Sequence, residues 1–243
     1  EHTLAVIISQ SGETADSLAA LRQAMDQGAK TLAIVNVVGS TIAREADFVL
    51  YTLAGPEIAV ATTKAYSAQL LAVYALAIVF AQDRGTIDGP RAQTLVQELE
   101  ALPGKMRRIL EDEERIQWFA SKQLAAKDAF FIGRCLDYAI SLEGSLKMKE
   151  ISYIHSEAYA AGELKHGTIS LIEPGTLVVG ILTQQDLFEK TLNNLLECKT
   201  RGAYLMALTT YGNYSMEDNA DFVIYIPKTD PHFAPSLAIL SLQ

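Results

Sequence analysis

Apolar and polar positions follow two different periods along the first part of the chain. Residues 4–8 form a short continuous apolar run, which is typical of a strand buried on both faces of a parallel sheet. In residues 15–27 the apolar side chains recur three or four positions apart, which predicts a helix that ends at Gly28. Further strands are predicted at residues 31–35 and 48–51. Strands that alternate with helices predict an α/β fold, a doubly wound and mainly parallel sheet flanked by helices.

The same pattern returns in the second half of the chain. Residues 4–51 align with residues 178–225 without a gap and share 12 identities in 48 positions. A period this long predicts two tandem domains. Turn-forming residues near position 86 favour a first domain at 1–86 and a second at 87–243, which would begin with a helical linker.

Charged residues fill the stretch between the two copies. Their pattern predicts helices at residues 92–102 and 105–127, with a solvated charged face. Residues 129–133 are predicted to form the first strand of the second domain. The most apolar run, residues 70–81, is shorter than the roughly 20 residues of a membrane span, so we expect a buried helix and no membrane partner.

Net charge and cysteine content exclude several classes of partner. A net charge of −9 repels nucleic acid, so any anionic ligand must be held by a local feature. The two cysteines, Cys135 and Cys198, lie far apart in the sequence and match no metal-binding motif. We expect no metal, no cofactor and a reducing cytoplasmic location.

Residues 9–14 connect the first predicted strand to the first predicted helix. A helix N-terminus presents unpaired N–H groups and a partial positive charge, and so accepts phosphate. Ser9, Ser11 and Thr14 add hydroxyls, and Gly12 allows close approach of the backbone. Helix capping is an equally good interpretation of the spacing alone. The corresponding residues 183–188 lack the glycine, which favours phosphate binding in the first copy only.

Two further motifs carry titratable side chains. Lys147 and Glu150 are three residues apart on a predicted helix, where the carboxylate could move a proton between adjacent carbons. The pattern alone favours a surface ion pair. His166 lies in residues 163–167, where it could act as a general acid or base, but a cationic helix C-terminus is the better interpretation of the pattern.

Together these segments resemble the tandem sugar-isomerase (SIS) domains of the glutamine–fructose-6-phosphate aminotransferase family, in a bacterial form. Residues 9–14 alone would indicate only some SIS domain, whereas the run EAYAAGELKHG at residues 157–167 is far more specific. The resemblance covers essentially the whole chain. The matching segments of the first domain are residues 9–14, 36–40, 43–45, 54–57 and 62–65, and those of the second are residues 145–154 and 157–167.

The resemblance implies the isomerase part of an amidotransferase that makes glucosamine 6-phosphate from fructose 6-phosphate and glutamine-derived ammonia. It implies that Glu150 moves a proton from C1 to C2 with Lys147 nearby. It also implies that His166 assists ring opening and reaches the site of a neighbouring subunit in a homodimer. For Glu150 and His166, these roles replace the surface ion pair and the helix C-terminus that the pattern alone favours. Phosphate and sugar would be bound by Ser9, Gln10, Ser11 and Thr14, and the sugar site lined by Val60 and by Thr62, where the family pattern has serine.

Parts of the family pattern are missing from this sequence. They are the glutaminase domain with its cysteine nucleophile, the upstream part of the first SIS domain, and a C-terminal tail with a Schiff-base lysine. We therefore expect a chain truncated at both ends, whose glutaminase partner belongs to the same full-length protein and whose own activity is open. Two alternatives stay open at this point: a non-catalytic SIS regulator that binds a phosphosugar, and another SIS sugar-phosphate isomerase or amino-sugar deaminase.

Overall fold

The computed structural model describes residues 3–243, which form two compact units. Unit 1 ends at Gln93 and unit 2 spans Thr94–Gln243. The limits predicted for the two SIS domains, 1–86 and 87–243, stay predictions about domain boundaries. The architecture is α/β with parallel sheets flanked by helices, as the alternation of strands and helices predicts.

Unit 1 contains a three-stranded parallel sheet in the order β1-β2-β3. Its core holds Leu21, Ala33, Val35 and Ile42, so helix α1 and the short helix α2 pack on the central strand β2. The elements of unit 1 are β1 (Leu4–Ser9), α1 (Ala15–Asp26), β2 (Lys30–Val35), α2 (Thr41–Glu45), β3 (Phe48–Tyr51) and α3 (Thr63–Asp83).

Unit 2 contains a five-stranded parallel sheet in the order β5-β4-β6-β7-β8. The predicted first strand is present as β4, whereas β5 has no counterpart among the sequence predictions. Two helices precede the sheet: α4 (Gly89–Leu110), which begins before the boundary at Thr94, and α5 (Glu113–Lys122). The other elements are β4 (Asp128–Gly133), α6 (Leu136–Ser152), β5 (His155–Ala160), β6 (Leu177–Leu182), α7 (Phe188–Lys199), β7 (Tyr204–Thr210), β8 (Phe222–Ile226) and α8 (Ala234–Leu242).

The internal repeat is visible in the strand pairing. Leu32 pairs with Phe48 between β2 and β3. Met206 pairs with Phe222 between β7 and β8, and these are the residues that the alignment of the two copies matches with Leu32 and Phe48. The order β1-β2-β3 in unit 1 thus corresponds to β6-β7-β8 in unit 2. The structure therefore confirms the α/β architecture and the alignment of the two copies.

The predicted helix break between residues 102 and 105 is wrong. Helix α4 continues through Pro103 and ends at Leu110. Leu95, Leu102 and Ile109 are buried at regular intervals of two helical turns, so one face stays packed on both sides of the proline. This continuous burial offsets the backbone hydrogen bond that proline removes.

The prediction of a buried helix at residues 70–81 is also wrong. The helix there, α3, spans Thr63–Asp83, and its buried residues are Ala65 and Ile78, whereas Val79 is 59% exposed. Among the described residues, α3 is the one helix long and apolar enough to pass a length-and-composition test for a membrane span, which core helices also pass. An apolar sequence predicts a helix that buries its surface, but it does not say what packs against it.

Candidate functional site

The turn at residues 9–14 lies at the carboxyl end of β1, where open α/β sheets bind ligands. Ser9 Oγ accepts a hydrogen bond from the Gly12 N–H at 3.0 Å, and Ser11 Oγ accepts one from the Glu13 N–H at 3.2 Å. Gly12 has φ +66°, and a Cβ there would clash with the side chain of Ser40. The turn therefore requires glycine at this position, both for its backbone conformation and for the space.

Helix α1 begins directly after this turn. Thr14 occupies the N-cap position, yet no side chain among the described residues caps the helix. The side-chain bonds to Ser9 and Ser11 close the turn itself and do not cap the first-turn N–H groups of α1. Such uncapped N–H groups suit an anion.

A cavity of about 720 Å³ lies elsewhere, in unit 2 along β8, and contains none of the predicted site residues. Four of the six predicted substrate residues line a different cavity, of about 530 Å³, in unit 1, whereas Ser9 and Thr14 are not among its lining residues. Gln10 Oε1 is buried there without a hydrogen-bond partner among the described residues, and an acceptor of this kind needs a donor such as a sugar hydroxyl. Residues that line this cavity include Gln10, Ser11, Asn36, Glu57, Val60 and Thr62.

Asn36 anchors one side of the loop that borders this cavity. Its Oδ1 accepts the Ala54 N–H at 2.7 Å, and its Nδ2 donates to the Gly55 carbonyl at 2.7 Å. No functional role was predicted for Asn36. The signal that could have found it is its position directly after β2, at the same sheet edge as Ser9.

Glu57 anchors the other side of the loop and was also missed as a functional residue. Its carboxylate accepts the N–H groups of Ala59 at 3.3 Å and Ala65 at 3.1 Å, so it joins the loop to the first turn of α3. Between Ala59 and Ala65, Val60 is 92% exposed, and Thr62 adopts a left-handed conformation with φ +55°. A β-branched residue in that conformation is strained, which is common at ligand-binding loops.

In unit 2, Lys147 and Glu150 lie on α6 and are in direct contact. Lys147 Nζ lies 2.8 Å from Glu150 Oε2 and 3.4 Å from Glu143 Oε1. Lys147 is only 7% exposed, so the interpretation as a surface ion pair does not fit this lysine. Burial acts to lower the pKa of Lys147, but the two carboxylates outweigh it and raise that pKa. A charged ammonium therefore orients the carboxylate of Glu150, whose side chain is 35% exposed.

His166 lies on a short 3₁₀ turn, Leu164–His166, with its side chain exposed. Residues 163–167, which the structure describes, do not form the α-helix C-terminus that the pattern predicts. Tight turns take its place, because the backbone N–H of His166 bonds to the Glu163 carbonyl and that of Glu163 bonds to the Ala160 carbonyl. The imidazole of His166 is therefore accessible to a ligand. A residue that only capped a helix would not need this accessibility.

The predicted site residues thus fall into two groups. Ser9, Gln10, Ser11, Thr14, Val60 and Thr62 belong to unit 1, and Lys147, Glu150 and His166 belong to unit 2. Within the described residues, no three His, Cys, Asp or Glu side chains are grouped as a metal site would require.

Comparison with known proteins reveals similarity over the whole chain. The SIS domain family model matches residues 1–79 and 124–243. The chain is 54% identical over its full length to glutamine–fructose-6-phosphate aminotransferase [isomerizing] of Caldanaerobacter subterraneus subsp. tengcongensis, and 56% identical over 99% of its length to that of Clostridium tetani. It spans about 40% of the length of these relatives. Among solved structures, the C-terminal domain of glucosamine-fructose-6-phosphate aminotransferase from Francisella tularensis has a TM-score of 0.95 and 35% identity, over 98% of this chain and 68% of that one.

Proposed function

The chain belongs to the SIS domain family, and we propose that it is the isomerase part of an amidotransferase that makes glucosamine 6-phosphate. Its substrates would be fructose 6-phosphate and ammonia released from glutamine by a glutaminase domain of the same full-length protein. The observation that carries the proposal is the contact between the buried Lys147 and Glu150. A non-catalytic regulator would need a phosphate site but no such base, and relatives similar over the whole chain carry the aminotransferase name.

Unit 1 would hold the sugar phosphate. The phosphate accepts hydrogen bonds from the uncapped N–H groups at the start of α1 and from the hydroxyls of Ser9, Ser11 and Thr14. Gln10 Oε1 accepts a sugar hydroxyl, which satisfies its otherwise unpartnered oxygen. Val60 and Thr62 line the sugar.

Unit 2 would supply the proton transfers. Ammonia condenses with the C2 carbonyl and water leaves. The Glu150 carboxylate then removes a proton from C1, and the resulting carboxylic acid returns that proton to C2, while the C1 hydroxyl loses its proton to become the aldehyde and the nitrogen gains one to become the amine. Lys147 holds the carboxylate in place through their 2.8 Å contact. His166 donates a proton to the ring oxygen as the sugar opens, in a neighbouring subunit of a homodimer. The free thiols of Cys135 and Cys198 support the cytoplasm as the compartment.

Solvent exchange of the C1 proton of the sugar phosphate tests this base in the full-length enzyme. Glu150→Gln keeps the shape of the side chain but cannot accept the proton, so exchange should fall at least 100-fold. Glu143→Gln is the matched control, because Glu143 lies on the same helix and contacts the same lysine. Exchange at the wild-type rate in Glu150→Gln would overturn the assignment.

A second measurement tests the phosphate site separately. The double variant Ser11→Ala with Thr14→Ala removes two hydroxyls and should weaken fructose 6-phosphate binding. Unchanged affinity would contradict the role of residues 9–14 without affecting the test of Glu150.

A further inference from the structure

Asp137 is a carboxylate buried inside unit 2, with 2% of its surface exposed. It lies in the first turn of α6 but does not cap that helix. Its side chain reaches the end of β6, where its oxygens accept hydrogen bonds from the Thr183 N–H at 2.9 Å and the Gln184 N–H at 3.2 Å. The hydroxyl of Thr183 donates a third hydrogen bond. One buried anion is thus held by three donors from the turn that follows β6.

This turn is the counterpart of residues 9–14 in unit 1. In the alignment of residues 4–51 with residues 178–225, Thr183 corresponds to Ser9 and Gln184 to Gln10. Asp137 therefore bonds to the counterparts of two residues that are proposed to bind the sugar phosphate in unit 1.

The other residues of the turn at 183–188 also suit an anion poorly. Asp186 stands where Gly12 allows close approach of the backbone, and it adds a second negative charge. Phe188, which replaces the hydroxyl of Thr14, is buried in the core of unit 2. An incoming phosphate would meet two carboxylates and would find a single side-chain hydroxyl, that of Thr183.

We propose that Asp137 is a built-in anion that fills the counterpart of the phosphate site in unit 2 and excludes external anions from it. A neutral side chain could fill the same space at a lower desolvation cost, but it would leave the N–H groups of Thr183 and Gln184 without an anionic acceptor. The proposal rests on the phosphate site proposed for residues 9–14, but it does not depend on the reaction proposed for Glu150.

Chemical rescue tests whether the space holds an anion. Asp137→Gly removes the carboxylate and leaves room for formate. In this variant of the full chain, formate should raise the thermal unfolding midpoint in a saturable way, whereas chloride at equal ionic strength should not. In the wild-type chain, formate should raise the thermal unfolding midpoint no more than chloride does. If the variant is unfolded in chloride, the formate titration is monitored by circular dichroism, and formate should restore the folded signal.

Asp221→Gly is the matched control. Asp221 also accepts a strand N–H, that of Leu205 at 2.7 Å, but it is exposed, so its removal opens no enclosed space. Formate should leave this variant unchanged. A response of Asp137→Gly to formate no larger than that of Asp221→Gly would overturn the proposal.

The exclusion of external anions needs a second readout. In the Ser11→Ala/Thr14→Ala background, where the site of unit 1 is disabled, inorganic phosphate should leave the amide resonances of Thr183 and Gln184 unshifted. Saturable phosphate shifts at these amides while Asp137 is present would contradict the exclusion. That outcome is distinct from a failure of the proposed function, which would appear at residues 9–14 and Glu150.

Discussion

The carboxylate of Asp47 accepts a hydrogen bond from the backbone N–H of Thr31 at 2.9 Å. The repeat preserves this bond, since Asp221 accepts the N–H of Leu205 at 2.7 Å at the corresponding positions. In both units, therefore, the aspartate just before the third strand of the repeat holds the first residues of the second strand in place. The motif ADFV, which is identical in the two copies, owes its aspartate to this structural role.

The Asp47 bond predicts a loss of stability in acid. Hydrogen bonds from Lys30 and from the backbone and hydroxyl of Thr31 lower the pKa of Asp47 to about 2. Because the pKa is lower in the folded than in the unfolded chain, the ionised group stabilises the fold above about pH 4, and this contribution is lost as the pH falls toward 2. Asp47→Asn should therefore flatten the acid limb of the unfolding free energy, measured by urea titration at several pH values. Asp83→Asn, at an exposed helix end, should leave that limb unchanged.

Gly12 is predicted to be irreplaceable in the turn after β1. A Cβ at this position would clash with Ser40 Oγ, and the φ of +66° disfavours any other residue. Gly12→Ala should weaken sugar-phosphate binding at least tenfold, measured by calorimetry. Gly28→Ala is the control, since φ is +77° there but nothing lies within 4 Å of the added Cβ. That variant should lose only about 1–2 kcal/mol of unfolding free energy and keep its affinity. Equal affinities for both variants would contradict the close approach at Gly12.

Glu57 is predicted to act as a positioning residue for the loop that contains Val60 and Thr62. Its carboxylate accepts two backbone N–H groups, those of Ala59 and Ala65, and Glu57→Gln weakens both bonds because the charge is lost. In the full-length enzyme we expect the KM for fructose 6-phosphate to rise roughly three- to tenfold, with kcat changed less than twofold. Glu100→Gln, on the exposed face of α4, is the control. A fall in kcat at constant KM would assign Glu57 to the chemical step instead.

Patterns that repeat within one element were predictable from the sequence, and long-range contacts were not. The alignment of residues 4–51 with residues 178–225 correctly matched β1 with β6 and β3 with β8, because each strand carries its own apolar run. β5 was missed because the run HSEAYA has few β-branched or apolar residues. Asp137 went unnoticed because its partner Thr183 lies far along the chain and no local pattern joins them.

Helix α3 permits a direct test of its exposure in this chain. Ile78 is 8% exposed and the adjacent Val79 is 59% exposed, so the two substitutions differ in burial but hardly in helical position. Val79→Lys should change the unfolding free energy by about 0.5 kcal/mol or less. Ile78→Lys should cost more than about 2 kcal/mol because it buries a charge. Equal losses by denaturant titration of this chain would restore the prediction of a buried helix.

Asp137 should respond to pH in the opposite sense to Asp47. Burial raises the pKa of Asp137 to about 6, against 3.8 for an unperturbed aspartate, and the three hydrogen bonds from Thr183 and Gln184 offset that effect only in part. The folded chain therefore holds this proton more tightly than the unfolded chain, and the resulting stabilisation is lost as the pH rises from 4 through 6. The pKa difference corresponds to about 3 kcal/mol.

Comparison with Asp137→Asn isolates this contribution, because the amide does not titrate. The unfolding free energy of the wild-type chain, relative to the variant, should fall by about 3 kcal/mol between pH 4 and pH 7. The same comparison at Asp47 should show a relative rise as the pH increases from 2 to 4. A relative rise for Asp137 would mean that its hydrogen bonds outweigh burial, and the carboxylate would then be a net source of stability at neutral pH.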